Sequence, residues 1–231
     1  RGGGSGGGGG HIHREAQGQM AANIMGVHAE VAELFVGGTE ANGAGVVLLP
    51  VTTDAREPGI RAIRFTDIVD STAVTQSMGD EAAMAILMMH DTVVRDALAF
   101  FGGREVKHTG DGIMASFVSS AGAVKCASQI QRELARHREE EPGNCQVRVR
   151  VGVAAGEPVE HHDDLFGATV QLAARLCSHA LPEQIVVSNA IADLCVGKGF
   201  RFQDLGEVPL KGFERPVRVH AVEWPGEATA H

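Results

Sequence analysis

Glu105-Val106-Lys107-His108-Thr109-Gly110-Asp111-Gly112-Ile113-Met114-Ala115-Ser116-Phe117 reads as a hairpin, two short strands folded about a Gly-Asp-Gly turn. Glycine beside the acid frees the backbone for a tight reversal and leaves the carboxylate at its tip. A second acid lies 44 positions earlier, in Phe65-Thr66-Asp67-Ile68-Val69-Asp70-Ser71-Thr72, at the end of an apolar-rich run. If the two strands are sheet neighbours, Asp67 and Asp111 converge. Hard oxygen ligands placed in this way suit Mg²⁺ or Mn²⁺, which keep several positions for water and substrate phosphates. Two such ions activate an attacking oxygen and stabilise a leaving one at phosphorus, so the pair points to phosphoryl-transfer chemistry.

Outward from this pair, the pattern is α+β. Ile60–Ile68 reads as a strand. Glu81–Phe100 reads as a helix with Met84, Leu87, Met88, Val94 and Leu98 on its apolar side, ended by Gly102-Gly103. Ser119-Ser120 can cap a second helix through Val124, Ala127, Ile130 and Leu134. The charged stretch His137–Gly143 reads as a solvated loop. Gln146–Ala154 alternates valines with Arg148 and Arg150, a strand with one polar face. A helix after Gly167, a strand at Gln184–Ser188, a short helix near Ala190–Cys195 and a last hairpin through Lys211 to Trp224 complete the series. Strand, helix, hairpin, helix, strand is the order of a ferredoxin-like βαββαβ core, here with C-terminal additions.

Composition narrows the function classes. The chain has 231 residues and a formal net charge of −9, which argues against a nonspecific grip on nucleic acid or an anionic membrane. A nucleotide substrate needs only a locally positive pocket. Cys126, Cys145, Cys177 and Cys195 form no CxxC pair, so a reducing cytoplasm is the expected compartment. No apolar run approaches membrane-spanning length. Residues 1–10 are an almost pure glycine tract, expected to be a linker. Residues 11–57 form an accessory segment, with helix-like spacing over 14–36 and a strand candidate at 46–51. That helix reads as a signal-transmitting element or as one packed on the core. The start at Arg1, without Met, leaves room upstream for a sensor, a regulatory domain or an anchor. The tail is 225–231.

Asp163-Asp164-Leu165-Phe166-Gly167-Ala168-Thr169-Val170-Gln171-Leu172-Ala173-Ala174-Arg175-Leu176 supplies a further cluster. In a helix after Gly167, Gln171 and Arg175 lie one turn apart on the same face. An amide beside a guanidinium can bind sugar and phosphate oxygens; the same spacing also fits an ordinary amphipathic helix. The neighbouring His161-His162 pair reads as solvated or interfacial in preference to a transition-metal site. Asp70 reads as a turn or cap residue for Ser71-Thr72.

Taken in order, FTDIVDST, VKHTGDGIMASF, DLFGATVQLAARL and VPLKGF resemble the catalytic domain of class III adenylyl/guanylyl cyclases over roughly residues 58–224. The resemblance implies that Asp67 and Asp111 bind two divalent cations, Mg²⁺ or Mn²⁺, with the Ile68 backbone carbonyl as a further ligand. It implies that Lys107 donates to the adenine ring and that Asp164 accepts from its exocyclic amine, favouring ATP over GTP. Guanine-selective members usually carry glutamate and a small polar residue there. Arg175 matches the transition-state arginine, and Lys211 the lysine that holds the terminal phosphates. Gln171 stands where the family usually has a ribose-orienting asparagine. The added methylene shifts its reach by roughly 1.5 Å, and misplacement on that scale costs on the order of 100-fold in rate.

The resemblance further implies a head-to-tail homodimer with shared sites, since Lys107 and Asp111 lie on one hairpin while base and phosphates are far apart. Asp67 and Asp111 of one chain would then face Lys107, Asp164, Gln171, Arg175 and Lys211 of the other. The stretch between Gly156 and Asp164 is short for the arm that clasps the partner in many members, as in the short-arm bacterial branch. The implied activity is conversion of ATP to 3′,5′-cyclic AMP and pyrophosphate. Two alternatives stand beside it: a catalytically weak nucleotide-binding regulatory dimer, motivated by Gln171, and a guanylyl cyclase.

Overall fold

Alternation of Ala62, Arg64, Thr66 and Ile68 with Ile63, Phe65 and Asp67 gives strand β1 (Arg61–Ile68) two different faces, and the fold is built on both. The structure is a computed structural model that describes residues 59–71, 76, 79–140 and 147–224. The expected glycine tract, the helix at 14–36, the strand at 46–51 and the tail lie outside the described residues. After β1 come α1 (Asp80–Phe101), β2 (Arg104–His108), β3 (Ile113–Phe117), α2 (Ser120–Glu140) and β4 (Val149–Gly156). A small hairpin, β5 (Val159–His161) and β6 (Asp164–Phe166), precedes α3 (Ala168–His179). The last described elements are β7 (Ile185–Ser188), α4 (Asn189–Leu194), β8 (Phe202–Val208) and β9 (Val217–Val222).

Among the described residues, seven strands form one sheet in the order β2-β3-β1-β4-β7-β9-β8. Its first four strands are mutually antiparallel, the arrangement of a βαββαβ core; β7 adds parallel to β4, and β8–β9 close the far edge. On one face, α1 and α2 bury Val94, Leu98, Ile130 and Leu134 against Ala115, Phe117 and Val151. Each fully buried aliphatic side chain there contributes roughly 1.5–3 kcal/mol. On the other face, α3 packs Ala173 and Leu176 over Ile63, Met114 and Ala154. That face stays partly open beyond α3, where Phe65 and Asp67 are only half-buried.

Local signals set the ends of these elements. Gly102 adopts φ +70° and its N–H returns to the Leu98 carbonyl, stopping α1 in a left-handed cap. Ser119 Oγ accepts the Gly122 N–H at 3.1 Å and starts α2.

Two expectations need correction. Met84 and Met88 are 56% and 64% exposed, and the buried stripe of α1 runs instead through Ile86, His90, Val93, Val94, Ala97 and Leu98. The polar His90 marks the core side because Thr66 and Asp91 satisfy its ring. The stretch from His137 is not a loop at its start: α2 continues to Glu140, supported by Arg136 pairing with Glu133 and Glu140. Arg64 is a further departure, fully buried with Phe117 beneath its guanidinium at 6.0 Å. Burial lowers its pKa.

The seat of α3 depends on Gly152. A Cβ there would lie 2.2 Å from the Cys177 backbone nitrogen and 2.4 Å from the Ala173 carbonyl oxygen. Gly152→Ala is therefore expected to destabilise the chain by about 1–3 kcal/mol, since both contacts are backbone and cannot rotate away. Urea unfolding measures this; an unchanged midpoint would show that α3 does not sit this close to β4.

Candidate active site

The Gly110-Asp111-Gly112 turn packs directly on the end of β1. Gly110 takes φ +101°, and Thr109 N–H donates to the Gly112 carbonyl at 2.8 Å to close the loop. A Cβ at Gly112 would lie 1.8 Å from the Thr66 carbonyl oxygen, so only glycine lets the turn come this near. Ile68 N–H then donates to the Asp111 carbonyl at 3.1 Å. The result brings Asp67 and Asp111 together, as the sequence predicts. Ile68 buries its side chain, so its backbone is what it presents to the site.

These two carboxylates strain against each other. Burial, and then the Asp111 charge, push the Asp67 carboxyl up from its ordinary range, while the Arg150 guanidinium works against both. Arg150 forms an ion pair with Asp67 Oδ2 from the facing position on β4. Ser71 Oγ donates to Asp111 Oδ2 at 2.7 Å. Behind the site the Cys177 thiol is pushed up to about 12 by burial and by the Asp67 charge, so it stays protonated.

Among the described residues, no group of three or more His, Cys, Asp or Glu side chains is placed to hold a metal. A two-carboxylate set instead suits a hard divalent cation that completes its shell with water and phosphate oxygens. The mutual repulsion of Asp67 and Asp111, relieved here by a guanidinium, is what a cation would relieve. The residues present fit Mg²⁺ or Mn²⁺.

Lys107 and Asp164 also meet. Lys107 Nζ donates to Asp164 Oδ2 at 2.6 Å and lies 5.4 Å from the Phe166 ring centroid. This bond, and then the Leu165 N–H, hold the Asp164 carboxyl below its ordinary range against a small desolvation penalty. A β-bulge makes the meeting work. Glu105 pairs with Ala115 and Lys107 with Met114, leaving Val106 as the extra residue. That shift turns Lys107 to the sheet face carrying Phe65 and Asp67, while Glu105 stays on the α1 side bonded to Arg95. Asp164 is delivered by the β5–β6 hairpin, whose turn residues His162 and Asp163 both have positive φ.

A third group forms on α3. Gln171 and Arg175 are exposed on the same side of the helix, and Ala173, Leu176 and Cys177 are buried beneath. Arg175 Nε donates to the Lys211 carbonyl at 3.1 Å, which ties α3 to the loop between β8 and β9. Among the described residues, no hydrogen bond or ion pair joins Asp67 or Asp111 to Lys107, Asp164, Gln171 or Arg175. Arg150, Ser71 and Phe166 were not singled out from the sequence. Arg150 had a signal in the Val-Arg-Val-Arg alternation, but its partner depends on the β1–β4 register.

Comparison with known proteins bears on this arrangement. The adenylate and guanylate cyclase catalytic domain profile matches residues 57–223. An adenylate cyclase of Streptomyces coelicolor is 33% identical over 132 residues, 57% of this chain and 33% of that protein. The crystal structure of an adenylate/guanylate cyclase/hydrolase from Silicibacter pomeroyi superposes with a TM-score of 0.62 at 29% identity, covering 72% of this chain and 97% of that one. The adenylyl cyclase CyaB from P. aeruginosa shares the fold, with a TM-score of 0.63 at 22% identity over 72% of this chain and 95% of that one. The matched curated relatives are longer proteins, of which this chain spans 24% to 57%. With its seven-stranded sheet and its ordered motifs, the chain belongs to the adenylate and guanylate cyclase catalytic domain family and has the class III cyclase fold.

Proposed function

We propose that this chain is an adenylyl cyclase that converts ATP to 3′,5′-cyclic AMP and pyrophosphate at the interface of a homodimer. The observation that carries the reading is the Lys107–Asp164 pair, 2.6 Å apart and flanked by Phe166. It presents one fixed donor and one fixed acceptor, the complement of an adenine ring nitrogen beside an exocyclic amine. The adenylate cyclase of Streptomyces coelicolor supports the same substrate.

Each residue takes a role its surroundings allow. Asp67, Asp111 and the Ile68 carbonyl would hold Mg²⁺ or Mn²⁺, whose chemistry there is to lower the pKa of the ribose 3′-hydroxyl and neutralise phosphate charge. Arg150, paired with Asp67 here, would be available to phosphate oxygens if Asp67 held the cation. Arg175 keeps its Nε on the Lys211 carbonyl and makes no other hydrogen bond or ion pair among the described residues, so its Nη groups are left for charge developing at the α-phosphorus. Lys211 takes the terminal phosphates, and Gln171 orients the ribose. A second copy is needed to bring the three groups onto one extended nucleotide. Val159 and Phe166, 64% and 47% exposed on the β5–β6 hairpin, offer apolar surface for that contact.

Asp67→Ala and Asp111→Ala are each expected to lower cyclic AMP production by at least about 100-fold with the fold intact. Chromatographic assay of product with circular dichroism checks both, and near-normal turnover in either variant would contradict the metal assignment. Lys107→Glu is expected to reduce the preference for ATP over GTP by on the order of 10-fold or more. Parallel assays with both nucleotides measure it, and an unaltered ratio would remove Lys107 from base reading. ATP binding and metal binding with no product from the unaltered chain would favour the regulatory-dimer alternative.

A further inference from the structure

Beneath the Asp111 turn lies a chain of hydrogen bonds that none of the proposed catalytic roles uses. The Gly110 N–H donates to His108 Nδ1 at 3.2 Å. A backbone amide can only donate, so Nδ1 is the unprotonated nitrogen and the ring proton sits on Nε2. That Nε2–H faces the Asp91 carboxylate at 3.1 Å from both oxygens. On the far side of the turn, the Ile113 N–H donates to Thr66 Oγ1 at 3.0 Å. Thr66 then has its own proton to give to His90 Nε2 at 3.2 Å. His90 completes the path through Nδ1–H to Asp91 Oδ1 at 3.0 Å. The Gly110 amide fixes the direction of the first limb; in the second, the Asp91 carboxylate can only accept, so a neutral His90 donates from Nδ1 and accepts the Thr66 proton at Nε2. Both limbs end on Asp91.

The arrangement is anchored on α1. Asp91 also pairs with Arg95 at 3.3 Å, and Arg95 holds Glu105 of β2 through two bonds of 2.8 and 3.1 Å. Burial alone would raise the Asp91 carboxyl, and the bonds from His90 and His108 overcome it and hold it below its ordinary range. Burial keeps His90 neutral by lowering its pKa, although Asp91 pulls the other way. An ionised acceptor shared by two neutral, oriented imidazoles is a rigid unit. Its two limbs grip the amides of Gly110 and Ile113, and Asp111 lies between them.

We propose that Asp91, His108 and His90 are positioning residues for the metal site, holding the Asp111 turn in the geometry that binds a divalent cation from two amides that flank it. The inference rests on the reading of Asp111 as a metal ligand. None of the three residues is among the proposed ligands of the cation or the substrate. Their contribution is to remove the freedom of a turn whose Gly110 would otherwise allow many conformations. Loss of one neutral hydrogen-bonded limb is worth a factor of about 3–10 in cation affinity.

The test is titration of the full chain with Mn²⁺ alone, following free Mn²⁺ by electron paramagnetic resonance, in Asp91→Asn, His108→Phe and Asp111→Ala. Asp91→Asn keeps the shape but turns one acceptor into a donor. His108→Phe removes one limb at a position that is 31% exposed, so it decides the case should Asp91→Asn unfold. Both are expected to weaken Mn²⁺ binding about 3- to 10-fold, with a raised Mn²⁺ requirement for turnover and kcat recovered at saturating Mn²⁺. Unchanged Mn²⁺ affinity in the folded variants, with binding abolished in Asp111→Ala, overturns the inference and leaves the metal site standing. No Mn²⁺ bound by the unaltered chain, or binding that Asp111→Ala does not weaken, overturns the metal assignment itself and the inference with it.

Discussion

The contact between a bare Gly112 Cα and the Thr66 carbonyl is the constraint on which the rest of this molecule depends. It lets a hairpin turn lie flat on the end of β1, where the Ile68 amide and the Asp111 carbonyl then lock it. No larger side chain fits the gap, and without the contact the two carboxylates would be held only by their own strands. The sheet order serves the same end: β3 and β4 flank β1, so Asp111 arrives from one side and Arg150 from the other. Local chain chemistry thus places two like charges together and supplies the cation that tolerates them.

That placement costs free energy and is useful for the same reason. Burial, and then the Asp111 charge, raise the proton affinity of Asp67, and a bound cation would offset both. The Lys107–Asp164 pair follows a different logic. It is exposed enough that its worth to stability is small, and the geometry that the β-bulge gives it is what the proposed base-reading role uses. The third group hangs on α3, seated by Gly152, and joins Arg175 to the loop carrying Lys211. Three rigid supports therefore carry three groups that the proposed dimer brings onto one nucleotide.

Much of this was legible in the residues. The βαββαβ order follows from glycine turns, caps and alternating valines, all of which act over a few positions and need no knowledge of the whole fold. Asp67, Asp111, Lys107 and Asp164 could be named from ordered motifs, and the structure brings them into the pairs expected. The failures share a physical cause. Met84 and Met88 have core-like chemistry, yet a buried histidine fixes which side of α1 faces inward, because Thr66 on another strand satisfies it. The helix through Arg136 and Glu140 persists on ion pairs that composition alone reads as loop. Arg150 and the Val106 bulge depend on register, which only tertiary pairing sets.

Complementation between two inactive chains tests the shared-site adenylyl cyclase most directly. Asp67→Ala and Arg175→Ala would be assayed for cyclic AMP from ATP and Mn²⁺, each alone and then mixed in equal amounts after exchange of subunits. The account predicts little product from either alone and recovery to about a quarter of the unaltered activity on mixing, since half the dimers then carry one intact site. A mixture no more active than its components, with subunit exchange demonstrated, would contradict a site assembled from two chains.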